Sequence, residues 1–122
     1  IKEATKAVEA ASLINPNDSL VFFQLGFLQF NQSDYEAAIQ SLERAVVLNP
    51  PYSNAKYFLG LSYYGVDRLE EAVQQFEDIK VLNPDNQEVE LILDNLKSGN
   101  PPLLNVGPPA PEDREELPVD EL

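Results

Sequence analysis

Three apolar runs in this chain stop on the same dipeptide. "SLINP" closes at Pro16, "VVLNP" at Pro50 and "KVLNP" at Pro84, so the interval is 34 residues both times. Proline offers no N–H to a helix and pushes the residue before it out of the helical region, so each Asn-Pro should end a helix. A stop that recurs at one interval leaves few folds open. Residues 15–48 lie over 49–82 without a gap, with eleven of 34 positions identical, including Leu25/Leu59, Gly26/Gly60, Glu36/Glu70 and Ala38/Ala72. Repeats of this length are stacked supersecondary units, none of which can bury its apolar face alone.

Each unit reads as two helices. Phe22, Leu25, Gly26 and Gln29 sit at helical spacing, then "NQSD" (31–34) breaks the pattern. Tyr35, Ala38, Ile39, Leu42, Ala45 and Val46 follow at i, i+3, i+4, i+7 spacing. Ser33 with Glu36 reads as a capping box, and Asp67 with Glu70 stands in the same place one unit later. Residues 1–14 align with a second helix, Ala4, Val8 and Ala11 falling on Ala38, Leu42 and Ala45. The expected helices are 1–14, 18–31, 34–48, 52–65, 68–82 and 86–98. This gives a half repeat (1–16), two full repeats (17–50 and 51–84) and a capping helix (85–98). Gly26, Ala38, Pro50, Gly60, Ala72 and Pro84 form the packing signature: small residues where paired helices approach, and proline where a pair ends. After Lys97 the composition shifts. Residues 98–122 hold six of the ten prolines and six acidic residues against one Arg, so 99–122 reads as a disordered, Pro-rich acidic tail.

Composition excludes several classes of function. The net charge is −13, and there is no His, Cys, Met or Trp. That charge opposes nucleic acid, whose phosphates need clustered Lys and Arg, and it opposes an anionic bilayer surface. Missing His and Cys remove the commonest general bases and the thiol nucleophile. The carboxylates Glu70, Glu71, Glu77 and Asp78 read as a solvated helix face. No catalytic, metal-binding or cofactor-binding residues are expected, and the chain is read as a non-enzyme. The longest mostly apolar stretch, "LVFFQLGFLQF" (20–30), is too short to span a bilayer. This segment is therefore read as a soluble domain without direct membrane insertion, a piece of something longer whose compartment stays open.

At this point the residues resemble the tetratricopeptide (TPR) repeat, W-x2-L-G-x2-Y, A-x3-F-x2-A, P over 34 residues. The first unit supplies Phe22, Leu25, Gly26, Gln29, Ala38, Leu42, Ala45 and Pro50. The second supplies Lys56, Leu59, Gly60, Tyr63, Ala72, Phe76, Ile79 and Pro84. The resemblance implies an all-α, right-handed solenoid of six helices in antiparallel pairs. It also implies a non-catalytic interaction module that binds a peptide or helix in a concave groove. The groove positions it implies are Leu20, Phe23, Phe27, Phe30 and Asn31, then Asn54, Tyr57, Phe58, Leu61 and Tyr64. A subset of the family clamps a terminal carboxylate with Lys, Asn and Arg. Phe23, Phe27, Phe58, Glu88 and Ile92 stand at those places here, so the implied partner is an apolar or amphipathic segment. The unpaired first helix and the aromatic groove leave self-association open as well. A second likeness lies in "ILDNLKSGNPPL" (92–103), which is similar to the ends of TPR segments attached to bacterial O-antigen ligase- or polymerase-like membrane proteins. It implies a regulatory or assembly appendage tethered through upstream sequence.

Overall fold

The structure, a computed structural model, describes residues 2–106. Within them the chain forms α1 (Lys2–Ile14), α2 (Ser19–Asn31), α3 (Tyr35–Leu48), α4 (Ser53–Gly65), α5 (Leu69–Leu82) and α6 (Gln87–Lys97). Each expected helix is present to within a residue or so at its ends. Consecutive helices pack on one another, and α2 also touches α4.

The turns explain the punctuation. After each second helix the Asn carbonyl accepts from the N–H three residues on: Asp18 to Asn15 at 3.2 Å, Tyr52 to Asn49 at 3.0 Å, Asn86 to Asn83 at 3.1 Å. Proline follows the Asn each time, where its fixed φ suits a β-turn. The turn inside each unit is different. Ser33 and Asp67 have φ of 62° and 63°, in the left-handed region. Ser33 N–H donates to Phe30 O and Asp34 N–H to Gln29 O, both at 2.9 Å; Asp67 and Arg68 repeat this with Tyr64 O and Tyr63 O. This is the Schellman closure of a helix C-terminus.

The expected capping boxes are therefore corrected. Ser33 and Asp67 end α2 and α4 rather than start α3 and α5. The N-cap of α3 is Asp34, whose carboxylate accepts from Ala37 N–H at 3.4 Å, and Arg68 at the head of α5 makes no side-chain cap. A left-handed residue with a Cβ costs about 1–2 kcal/mol, while glycine carries an entropic cost of its own. Ser33→Gly and Asp67→Gly should therefore each raise stability by about 0.5–1 kcal/mol in urea titration. Unchanged midpoints for both would show that these turns hold no strain.

The core lies between the two helices of each unit. Ala38, Leu42, Ala45, Ala72 and Phe76 are fully buried, and Ile79 nearly so. Gly26 faces Leu42 and Gly60 faces Phe76. A Cβ built on Gly26 would lie 2.5 Å from Leu42 Cγ, and one on Gly60 would lie 2.6 Å from Phe76 Cε2. Gln29 stands where the second unit has Tyr63, and each finds a polar partner. Ser41 Oγ donates to buried Gln29 Oε1 at 2.6 Å, and Tyr63 hydroxyl donates to Glu43 of the preceding unit. The exception is α1: Ala4 is exposed and Val8 and Ala11 only half-buried, although their equivalents in α3 and α5 are buried.

The packed body runs past the boundary expected at residue 98, so the disorder expected from residue 99 is corrected for residues 99–106. A third Schellman turn centres on Gly99 (φ 81°), with Asn100 N–H on Asn95 O at 2.8 Å. Residues 101–106 then fold back on α6, and Pro102 is buried. Residues 107–122 lie outside the described residues.

Candidate peptide groove

Repeat register decides which side chains of α2 and α4 share a face. Gly26 and Gly60 turn one face toward α3 and α5, and rings crowd the neighbouring face. Phe58 is the hub: its ring centroid lies 5.1 Å from Phe27, 5.3 Å from Phe30, 5.2 Å from Tyr57 and 6.2 Å from Phe23. Phe23 also lies 5.1 Å from Tyr52. Most of these pairs are tilted or edge-on, the arrangements the ring quadrupole favours. The network extends to Tyr35 through Phe30 and reaches the core through Tyr57 on Phe76. The rings are half-buried or, for Phe27, 37% exposed, so they fill the inner layer and still present an apolar surface.

Of the ten expected positions, Phe23, Phe27, Phe30, Tyr57 and Phe58 come together. Asn54 joins Tyr57 and Phe58, but not the three phenylalanines of α2, in a cleft of about 370 Å³ between α4 and α6, whose other lining residues are Ser53, Ile79, Asn83, Asn86, Glu88 and Val89. Leu20 and Asn31 are exposed at the ends of α2. Leu61 is corrected out of the lining: it is 7% exposed and belongs to the core. Tyr64 stands apart, over a smaller cavity of about 150 Å³ with Asp67, Leu69, Leu96, Gly99 and Asn100.

Glu88 is the charged residue in the α4–α6 cleft. Tyr57 hydroxyl donates to Glu88 Oε2 at 3.2 Å, bridging the two helices. Burial, then the Glu88 charge and this hydrogen bond, push the Tyr57 phenol up to about 12. Tyr63 is also raised, first by burial and then by its hydrogen bond to Glu43. Both phenols thus stay protonated donors across the physiological range. The polar residues that complete the cleft were not legible as lining. Asn83 is the Asn of the third Asn-Pro, and its Nδ2 reaches Ser53 Oγ at 3.4 Å. Asn86 caps α6 through Val89 N–H. Their helix-end positions were readable, but not that two helix starts converge on one cleft.

The comparisons with known proteins agree on the fold. Residues 21–52 match the family model described as tetratricopeptide repeat. Among solved structures, the chain is similar to the first TPR of Spaghetti (RPAP3) bound to the HSP90 peptide SRMEEVD. The TM-score is 0.76 at 22% identity, covering 80% of this chain and 78% of that one. No curated protein matches. The architecture is thus an all-α TPR solenoid. Neither match bears on the likeness of residues 92–103 to ligase-attached segments. Among the described residues, no helix is long and apolar enough to cross a membrane.

Proposed function

We propose that this chain is a non-catalytic interaction module that holds an apolar or amphipathic peptide segment against α2 and α4. The observation that carries this is the continuous, part-exposed ring cluster of Phe23, Phe27, Tyr57 and Phe58. Such a surface suits an amphipathic helix laid in a groove, with anchors at i, i+3/i+4 and i+7. Support of a coarser kind comes from the similar TPR structure, which holds a peptide. The peptide chemistry differs here. SRMEEVD carries three carboxylate side chains, whereas the α4–α6 cleft holds Glu88 and lacks Lys or Arg.

Fluorescence polarisation with two labelled probes tests the reading. One is a neutral amphipathic helical peptide with leucines at i, i+4 and i+7, and the other is SRMEEVD. The neutral peptide should bind, and Phe23→Ser/Phe27→Ser should weaken it at least about tenfold, equivalent to about 1.4 kcal/mol. SRMEEVD should bind more weakly than the neutral probe. Equal binding by the parent and the double variant, at matched helix content, would defeat the proposal.

A further inference from the structure

The 34-residue register continues into α6. Glu88 aligns with Asn54 and Leu20, Leu91 with Tyr57 and Phe23, and Asn95 with Leu61 and Phe27. One stripe of α6 is thus the third row of the face described above. The Asn95 end of that stripe is covered by the chain itself, while Glu88 and Leu91 are exposed. Asn95 is buried, and its Nδ2 donates both protons to main-chain carbonyls, Pro102 O at 2.9 Å and Leu104 O at 2.8 Å. Farther along, Asn105 and Val106 border a cavity of about 260 Å³ with Gln87, Glu88 and Leu91. Residues 102–106 therefore run antiparallel to α6, from Asn95 back toward Glu88. Ile92 on this side is fully buried, while its equivalent Phe58 is only half-buried.

We infer that this stripe of α6 is a peptide site in its own right, filled in cis by Pro101–Val106. Its external ligand is a second segment of the same chemistry: a short, uncharged turn of Pro-Pro followed by aliphatic residues. The inference rests on reading the α2–α4 face as a groove, since register alone carries that face onto α6. The contacts define the ligand class. Asn95 reads two carbonyls, not a charge, so the ligand must present its main chain in a turn. The turn is held by Leu104 N–H on Pro101 O at 3.2 Å and Val106 N–H on Leu103 O at 3.0 Å. Proline at the start of such a turn lowers the entropy lost on ordering. Glu88 at the far end disfavours acidic ligands. The aligned positions Phe27 and Leu61 carry no amide, so this grip on carbonyls is confined to α6. A tethered segment acts at an effective concentration in the millimolar range, so an external ligand meets a site already largely filled.

The test uses the full chain and NMR, reading the Asn95 side-chain amide. In Pro102→Asp/Val106→Asp the covering segment should leave, and the Asn95 amide should move toward solvent-like shifts while the helical signals persist. A capped peptide of residues 100–106 should return that amide toward its parent position. It should bind the parent about tenfold or more weakly than the released variant. The same peptide with Asp in place of Pro102 should do neither. A second route spares the tail: Asn95→Leu, which copies Leu61, should lower hydrogen-exchange protection at the Leu104 and Val106 amides about tenfold. An Asn95 amide that does not move in the released variant, or a released variant indifferent to millimolar peptide, overturns the inference. Failure of the α2–α4 reading looks different: the 100–106 peptide binds, but the helical probe binds nowhere and the Phe23 and Phe27 signals stay still.

Discussion

Replacing Gly60 by leucine should destabilise the solenoid by about 1–3 kcal/mol or more, and Gly26→Leu should do the same. A helical glycine normally costs about 1 kcal/mol relative to alanine, so any side chain would begin with a gain. Geometry removes that gain. A Cβ at 60 would lie 2.6 Å from Phe76 Cε2, and one at 26 would lie 2.5 Å from Leu42 Cγ and 3.3 Å from the Leu42 backbone nitrogen. Leu42 and Phe76 are both fully buried, so neither ring nor branch has room to retreat. Alanine should show a smaller net effect, since its helix propensity offsets part of the clash. Urea titration of the four variants checks this. Leucine variants with the parent midpoint would show that the helices of a pair are not in tight contact here.

The close approach of paired helices was legible because the sequence states it twice, in Gly26/Gly60 and Ala38/Ala72. That the glycines face Leu42 and Phe76 was not, because small residues mark where helices approach and not which side chain fills the contact. The Asn-Pro turns were legible through the same repetition. What appears once was not. A Cβ on Gly65 would lie 2.7 Å from Tyr35 Cδ2, yet its equivalent is Asn31, so register gave no signal. Ser33 and Asp67 carry residue types that start helices more often than they sit left-handed, so their sequence signal points to a cap they do not make. The groove positions implied by the resemblance did not divide lining from core. Leu61 sits one turn from Tyr57 and Phe58 and is buried, while they are half-exposed. The fold-back of residues 101–106 was least legible of all. It depends on where Asn95 stands once α6 has packed, and Pro-rich composition alone points the other way.

Phe76→Ala should produce the largest single loss, about 3–5 kcal/mol, because it empties a fully buried ring site. Its ring also closes the Tyr57 end of the aromatic network at 5.8 Å. In a repeat array each unit contacts only its neighbours, so the damage should begin locally. Amide exchange in α4, α5 and α6 should accelerate before that in α2 and α3. The informative variant combines this change with the one above. In Gly60→Leu/Phe76→Ala the new leucine occupies part of the volume the ring has left, so overpacking and cavity offset each other. The double variant should be more stable than the sum of the single losses predicts, with a coupling of about 1–3 kcal/mol. Losses that add within about 0.5 kcal/mol would mean that residues 60 and 76 act independently. The paired-helix contact inferred from the repeated glycine would then fail in the second unit.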